Sequence, residues 1–201
     1  MLKLGLTGSI ATGKSTVLQA FSDLGVATFS ADDAVHELYR HEAVPPVEAL
    51  FPGVTVDGVI DRAELLRRLV RQPERLPELE RVVHPLVRQR IGAFLAGAEA
   101  RGEPMAVVDI PLLFETGVDW GFDEVIVTAV DASEQRRRAL AREGMNVEKL
   151  EAILARQLPQ AEKKGRADHV IDTSGPIAAT REGIAELVEN LRRGPVGQSG
   201  K

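Results

Sequence analysis

Residues Gly8-Ser-Ile-Ala-Thr-Gly-Lys-Ser-Thr16 match the pattern Gly-x-x-x-x-Gly-Lys-Ser/Thr. A short apolar run, Leu2 to Leu6, precedes this stretch, and an apolar face of helical spacing follows it from Val17 to Leu24. A strand, a glycine-rich turn and a helix in that order aim backbone N–H groups and the positive end of a helix dipole at one anion. The stretch therefore predicts a P-loop that binds the phosphates of a nucleotide.

The fixed positions of the P-loop each have a chemical reason. Gly8 and Gly13 let the backbone turn tightly, so that its N–H groups approach phosphate oxygens. Lys14 neutralises charge on the β- and γ-phosphates, and the Ser15 hydroxyl is suited to the coordination shell of Mg²⁺. We therefore predict ATP and Mg²⁺ as cofactors. The other loop residues that we expect to contact the nucleotide are Ala11, Thr12 and Thr16.

The composition is that of a globular protein and excludes several kinds of site. The chain has 201 residues, 44% of them apolar and 27% charged, which is enough to bury one full core. It has no cysteine, which excludes a disulfide framework, a thiolate metal site and a cysteine nucleophile. A net charge of −5 argues against nucleic acid as the main partner. Because no apolar run is long enough to span a bilayer, we expect no membrane association and a cytoplasmic location.

Strand-like and helix-like segments alternate along the chain, which predicts an α/β fold. We expect a three-layer P-loop NTPase fold built on a sheet of five parallel strands. The strand-like apolar runs are residues 2–6, 26–29, 105–110, 124–130 and 169–171.

The first long segment between strands predicts a helical insertion within a single domain, residues 1–201. Residues 33–100 contain too many helical patterns for one crossover. We therefore place an insertion at the carboxyl edge of the sheet, where α/β proteins bind substrates. One apolar stripe of this insertion, from Leu79 to Val87, is interrupted by Pro85.

The later segments predict a lid and a tail. Residues 134–143 and 146–158 have the pattern of two charged helices, and we assign a helical lid to residues 134–165. Residues 177–192 predict a final amphipathic helix. The tail, residues 194–201, has no pattern, and we expect it to be disordered.

Several short blocks of sequence carry information beyond the P-loop pattern, from residue 2 to about residue 190. In chain order the blocks are Gly5 to Thr16; Ser30-Ala-Asp32; Arg75 to Pro85, which ends in His-Pro; Asp109-Ile-Pro-Leu-Leu-Phe-Glu115; Gln135, Arg138 and Arg142; Gln157; Ala167-Asp168; and Asp172-Thr-Ser-Gly175. Any one block is weak evidence, but the order of the whole set is specific. In that order the blocks resemble the dephospho-CoA kinases, a family of small-molecule P-loop kinases.

Four positions depart from the pattern of that family. Ser9 and Ala11 stand where glycines are usual, so the P-loop has two fewer flexible positions. Ser30 stands where the family usually has an aspartate, and Thr173 where it has an asparagine near the adenine end. None of these changes removes Lys14.

The resemblance implies transfer of the γ-phosphoryl group of ATP to the ribose 3′-hydroxyl of dephospho-CoA, which is the last step of coenzyme A biosynthesis. Lys14, Asp32 and Arg138 are the catalytic candidates. Asp32, just after the second strand, is the candidate that orients the hydroxyl and accepts its proton. The alternative is that Asp32 caps a helix beginning near Ala34.

Two arginines of the lid are candidates for contact with ATP. Arg138 and Arg142 are four residues apart, which places them on one face of a helix. There they bring guanidinium groups to the phosphates. The alternative is a solvated face of ion pairs, which is the role that we expect for Glu134, Arg136 and Arg137.

The remaining candidates concern the acceptor and the metal. His84 and Arg88 lie in the predicted insertion and are candidates for binding dephospho-CoA, although a histidine in an apolar stripe is more often structural. Pro111 and Leu112 are candidates for an apolar wall against the acceptor, and packing of the strand end explains them equally well. Asp109 ends an apolar strand and either holds Mg²⁺ through water or caps a neighbouring loop.

Two other functions remain open from the sequence. One is a nucleoside or nucleotide kinase on the same scaffold, because the P-loop does not specify the acceptor. The other is a non-catalytic, ATP-dependent switch. A guanine-reading Asn-Lys-x-Asp motif is absent from the sequence, which disfavours a GTPase. We expect a small-molecule substrate and a monomer or a small homo-oligomer.

Overall fold

A computed structural model describes residues 1–193, and the apolar runs of the sequence form strands in it. The strands are β1 (Leu2–Gly8), β2 (Ala27–Ser30), β3 (Thr55–Val56), β4 (Val59–Ile60), β5 (Met105–Asp109), β6 (Glu124–Ala129) and β7 (His169–Asp172). Five of them form one parallel sheet with the order β2-β5-β1-β6-β7, and the short strands β3 and β4 form a separate hairpin. The α/β class and the five-stranded sheet are therefore confirmed.

Helices account for most of the remaining described chain. They are α1 (Lys14–Asp23), α2 (Ala31–Leu38), α3 (Val44–Leu50), α4 (Arg62–Arg71), α5 (Leu76–Ala100), α6 (Ala132–Leu140), α7 (Val147–Leu154), α8 (Gln160–Gly165) and α9 (Ile177–Arg193). The predicted disordered tail, 194–201, lies outside the described residues.

The central strand β1 pairs in parallel with β5 on one side and with β6 on the other. Leu4 is opposite Val107 of β5 and Glu124 of β6. Every residue of β5 is buried, which is why this strand has a continuous apolar run and not an alternating one. The sheet thus holds the end of β1, where the P-loop begins, at its centre.

The core around the sheet is formed by the apolar faces of α1 and α9. Leu6 of β1, Phe21 of α1 and Ile184 of α9 are fully buried in one cluster. Each side chain of this size stabilises the fold by about 1.5–3 kcal/mol on burial. Because α1 begins directly at Lys14, this packing also fixes the helix end that follows the predicted P-loop.

The described chain divides into two compact units, and each is considered by itself. The sheet unit contains Met1–Phe29 and the chain from Ala98 onward, and the helical unit contains Ser30–Gly97. Within the helical unit the guanidinium of Arg75 lies over the ring of Phe51, 4.3 Å from its centroid. The same guanidinium donates to the carbonyl oxygen of Leu50 at 2.7 Å, so Arg75 joins the start of α5 to the end of α3.

Two features of the helical unit differ from the sequence prediction. The stripe predicted to break at Pro85 is a single helix, α5, with the proline inside it. The proline forfeits one backbone hydrogen bond, but the buried stripe that includes Val83, Val87 and Ile91 runs along both sides of it and outweighs that loss. The hairpin of β3 and β4 was not predicted.

Residues 1–193 include no helix that combines the length and the apolar character needed to cross a bilayer.

Candidate active site

The P-loop runs from the end of β1 at Gly8 to the start of α1 at Lys14. Two of its residues have left-handed backbone conformations, Ala11 with φ 61° and Gly13 with φ 83°. Gly13 immediately precedes α1 and has no side chain that could cap the N–H groups of the first turn. The loop therefore leaves N–H groups of the first turn of α1 without a side-chain cap, an arrangement that suits an anion, and binding of phosphate there stays a prediction.

Gly8 is required because the backbone of β6 lies against it. A Cβ atom at this position would lie 2.1 Å from the Thr128 hydroxyl oxygen and 2.9 Å from the Thr128 carbonyl oxygen. The Thr12 hydroxyl fills the same region, 2.7 Å from that of Thr128, and donates to the carbonyl oxygen of Ser9 at 2.8 Å. The hydroxyl of Thr12 thus stabilises the conformation of the loop through contacts within the protein. Contact of Thr12 with the nucleotide stays a prediction.

Thr173 joins the P-loop to Arg138. Its hydroxyl donates to the carbonyl oxygen of Thr12 at 2.9 Å. The guanidinium of Arg138 donates to the carbonyl oxygen of Thr173 at 2.8 Å and to its hydroxyl at 3.3 Å. Thr173 therefore contacts the loop itself, a role that its place at the adenine end of the family pattern did not suggest.

Arg138 is held in place by Glu134, one helical turn earlier in α6. The carboxylate of Glu134 accepts from Arg138 Nε at 2.7 Å and from Arg137 Nη2 at 2.6 Å. The guanidinium groups of Arg137 and Arg138 lower the pKa of the Glu134 carboxyl from its ordinary value of 4.5 to about 2. Arg136 pairs instead with Glu151, as expected for a solvated ion pair.

A cavity of about 350 Å³ lies between the P-loop and these charged residues, within the sheet unit. A volume near 300 Å³ is at the lower end of the range for small-molecule sites. The cavity brings together four predicted nucleotide contacts of the P-loop and both predicted arginines. Among its lining residues are Ala11, Gly13, Ser15, Thr16, Glu134, Arg137, Arg138, Arg142 and Thr173.

One expectation for this region is wrong. Arg138 and Arg142 do not share a helix face, because α6 ends at Leu140 and Arg142 follows it. They nonetheless line the same cavity. The spacing of two residues along the sequence predicts a shared face only if the helix continues through both of them. Glu134 and Arg137 form the ion pair expected of a charged helix face, and they line the cavity as well.

A buried ion pair, Lys163 with Glu115, was missed by the sequence analysis. The side chain of Lys163 in α8 is fully buried, and its ammonium lies 2.7 Å from Glu115 Oε1. The same oxygen accepts from the backbone N–H of Leu158 at 2.9 Å. Burial lowers the pKa of the Lys163 ammonium, and the carboxylate of Glu115 opposes that shift. The pair ties α8 to the turn that follows β5.

The predicted residues at the end of β5 lie beside β1. Asp109 is the last residue of the strand, is 7% exposed and is in register with Leu6. Pro111 and Leu112 are half-buried in the turn that follows. The carbonyl oxygen of Pro111 accepts from the Thr7 hydroxyl at 3.2 Å, which fixes this turn to β1.

Asp32 lies in the first turn of α2 and is exposed. The alternative role that we considered for it, a cap for a helix beginning near Ala34, is wrong because α2 begins at Ala31. The cap is Ser30, whose hydroxyl accepts from the Asp33 N–H at 3.1 Å. The carboxylate of Asp32 is therefore not engaged as the cap of this helix.

The two acceptor candidates of the insertion lie on α5. His84 is half-buried and Arg88 is exposed, one helical turn apart. They and Asp32 belong to the helical unit, whereas the P-loop, Asp109 and the lid arginines belong to the sheet unit.

A family model and two similar proteins point to the same family. The family model described as Dephospho-CoA kinase matches residues 2–179. A dephospho-CoA kinase of Rhizobium meliloti (strain 1021) is 52% identical over 194 residues, which cover 96% of this chain and 100% of that protein. A dephospho-CoA kinase of Rhodopseudomonas palustris (strain HaA2) is 51% identical over 195 residues, covering 97% and 98% of the two chains.

Solved structures show the same likeness. A protein from Thermus thermophilus of known crystal structure matches with a TM-score of 0.79 and 34% identity over 94% of this chain and 97% of its own. The dephospho-CoA kinase from Campylobacter jejuni matches with a TM-score of 0.69 and 25% identity over 96% and 98% of the two chains. A shikimate kinase from Bacteroides thetaiotaomicron, 16% identical over 94% and 99% of the two chains, matches with a TM-score of 0.53 and so shares the fold alone.

Gly8→Ala should abolish saturable binding of Mg·ATP, because the added methyl group collides with the Thr128 carbonyl oxygen and forces the P-loop away from β6. We also expect a loss of stability of about 1–3 kcal/mol from this overpacking. Titration calorimetry and denaturant unfolding measure the two effects. The control is Gly92→Ala in α5, where the new Cβ meets no atom within 4 Å apart from its chain neighbours and its own helix backbone. Equal ATP affinity in the two variants would contradict the claim that Gly8 has no room for a side chain.

The ion pairs of Glu134 should contribute stability that depends on pH. Because the folded pKa is lowered from 4.5 to about 2, this contribution is complete above pH 4.5 and is lost as the pH falls towards 2. The free energy of unfolding of the wild type should therefore fall towards that of Glu134→Gln across this interval. Denaturant unfolding at several pH values measures the difference. A difference that stays constant across the interval would count against these ion pairs.

Proposed function

Since this chain belongs to the dephospho-CoA kinase family, we propose that the residues around its P-loop carry out that family's reaction as follows. The function is ATP-dependent phosphorylation of dephospho-CoA, which gives coenzyme A and ADP. In chemical terms, the ribose 3′-hydroxyl oxygen forms a bond to the γ-phosphorus, and the bond from that phosphorus to the β–γ bridging oxygen breaks. The hydroxyl proton passes to a protein base, and ADP leaves.

One observation carries the proposal more than any other: the P-loop opens onto a cavity that two arginines of the lid segment, Arg138 and Arg142, also line. Phosphoryl transfer has a loose transition state whose charge is spread over the equatorial oxygens. Catalysis then consists mainly of positioning and of cationic groups around the phosphates. We infer that the N–H donors of the loop, the ammonium of Lys14 and the guanidinium groups of the two arginines supply both.

We assign the nucleotide contacts to the P-loop. Its backbone N–H groups bind phosphate oxygens, and the ammonium of Lys14 balances charge on the β- and γ-phosphates. Arg138 stabilises the transferring group, and Arg142 binds the nucleotide. Arg138 is pre-positioned for this role, because Glu134 and Thr173 hold its guanidinium beside the loop.

The residues also suit a magnesium ion. The hydroxyl of Ser15 and the carboxylate of Asp109 are oxygen donors, and Mg²⁺ in such sites takes only one or two protein ligands besides phosphate oxygens and water. When bound, Mg²⁺ neutralises charge on the phosphates of ATP. Ser15 and Asp109 are the residues that we propose to hold it.

Asp32 is the proposed base. It follows the end of β2 by two residues, and substrate sites in α/β proteins lie at the carboxyl ends of such strands. Its carboxylate orients the 3′-hydroxyl and takes up its proton, which requires little basicity because the transition state is loose. For the rest of dephospho-CoA we propose His84 and Arg88 of α5, and Pro111 and Leu112 after β5.

Two further properties stay predictions. They are the cytoplasmic location and the oligomeric state, which we expect to be a monomer or a small homo-oligomer.

An acceptor assay separates this function from its rivals. ADP release is measured with dephospho-CoA, AMP, CMP and shikimate as acceptors, because the shared scaffold does not fix the acceptor. We expect ADP release to exceed the ATPase background only with dephospho-CoA. Turnover with AMP or CMP alone would favour a nucleotide kinase, and binding of ATP without turnover on any acceptor would favour a non-catalytic switch.

Asp32→Asn should lower kcat with dephospho-CoA on the order of a hundredfold, because it removes the proton acceptor, while Mg·ATP still binds. Asp33→Asn is the matched control, since Asp33 is also an exposed acid in the first turn of α2. Steady-state kinetics and titration calorimetry check both variants. Similar kcat values for the two variants would rule out the assignment of Asp32. Lys14→Ala, in contrast, should impair ATP binding as well as turnover.

A further inference from the structure

Two glutamine side chains hold both backbone groups of Ile10 in the P-loop. The N–H of Ile10 donates to Gln157 Oε1 at 2.9 Å. The carbonyl oxygen of Ile10 accepts from Gln135 Nε2 at 2.8 Å. Gln135 lies in α6 and Gln157 follows α7, so both come from the lid segment, residues 134–165.

The hydrogen bonds of Gln135 continue to the end of β6. Gln160 Nε2 donates to Gln135 Oε1 at 2.9 Å, and the backbone N–H of Val130 donates to Gln160 Oε1 at 3.1 Å. A backbone N–H begins this chain of bonds, and a backbone carbonyl ends it. The orientation of each amide is therefore fixed, because every member has to accept on its oxygen and donate from its nitrogen.

The residue after Ile10 is the one with a backbone conformation that a side chain disfavours. Ala11 has φ 61°, in the left-handed region, where the family pattern usually has a glycine. Its methyl group is buried with Ala139 of α6 and Leu150 of α7. A strained residue of this kind persists only where its surroundings hold it. The two glutamines hold the peptide groups on either side of Ile10, immediately before the strained position.

We propose that Gln135 and Gln157 are positioning residues that keep Ala11 in its left-handed conformation and thereby orient the N–H groups of the P-loop before the nucleotide binds. This inference rests on the proposed function, because it concerns the ATP site. Neither glutamine is required to touch ATP. Their removal raises the Kd of ATP by releasing the loop and leaves the KM of dephospho-CoA unchanged.

The direction of the two hydrogen bonds provides a matched pair of variants. Gln135→Glu replaces a donor with an oxygen that faces the Ile10 carbonyl oxygen, whereas Gln157→Glu keeps an acceptor for the Ile10 N–H. Both variants add one negative charge beside the same residue, so their difference measures hydrogen-bond direction and not charge.

We expect Gln135→Glu to raise the Kd of Mg·ATP about tenfold more than Gln157→Glu does. A factor of this size is typical when a buried backbone carbonyl loses its hydrogen-bond donor. Titration calorimetry measures the Kd, and thermal melting verifies that each variant is folded.

If Gln135→Glu does not fold, Gln135→Met removes the donor without adding charge. It should raise the KM of ATP and leave the KM of dephospho-CoA unchanged, whereas a merely structural role would alter the melting temperature and neither KM.

A double-mutant cycle tests the part played by Ala11. Glycine adopts positive φ readily, so Ala11→Gly should offset part of the loss caused by Gln135→Met. Additive effects of the two changes on the Kd of ATP would overturn this role of the glutamines, as would equal Kd values for the two glutamate variants. A wild type that does not bind Mg·ATP would overturn the proposed function itself, which is a separate outcome.

Discussion

The site depends on one constraint: several backbone N–H groups have to point at one place without being satisfied by the protein itself. A short loop does this only by passing through conformations that most residues avoid, which here are the left-handed turns at Ala11 and Gly13. Close contacts with neighbouring residues hold the loop in this conformation. Gly8 lies against Thr128, and the hydroxyls of Thr12 and Thr173 bind carbonyl oxygens of the loop. The N–H groups at the helix end are thus left without a side-chain cap, as the proposed binding of phosphate requires.

This constraint explains why the family departure at Ala11 is tolerated. A glycine there would enter the left-handed region at no steric cost, whereas alanine does so at a cost. The methyl group in turn packs with Ala139 and Leu150, and burial of a methyl group is worth about 0.8 kcal/mol. The two terms are of similar size. Alanine in place of the usual glycine therefore raises the cost of the left-handed conformation at residue 11. In return, its methyl group adds an apolar contact between the loop and the lid segment.

The sequence predicted what is local and missed what depends on distant contacts. Apolar runs and the P-loop pattern predict the five strands and the start of α1, because period and spacing report local structure. The hairpin of β3 and β4 carried a readable signal, Asp57-Gly58 with φ 50° and 79°, that we did not use. The pairs Thr128 with Thr12 and Lys163 with Glu115 join residues far apart in the chain, and no local pattern indicates them.

The charges around the loop follow from the same constraint. A site that attracts a triphosphate collects cations, and cations close together repel one another; Lys14 itself contributes to lowering the pKa of Lys163. Carboxylates offset this repulsion: Glu115 pairs with Lys163, and Glu134 pairs with Arg137 and Arg138. Glu134 therefore acts as a counter-ion for guanidinium groups at the wall of the cavity. Arg137 is exposed, and Glu134 and Arg138 are partly exposed, so water weakens both ion pairs. The far higher charge of a triphosphate can therefore compete for the same guanidinium groups.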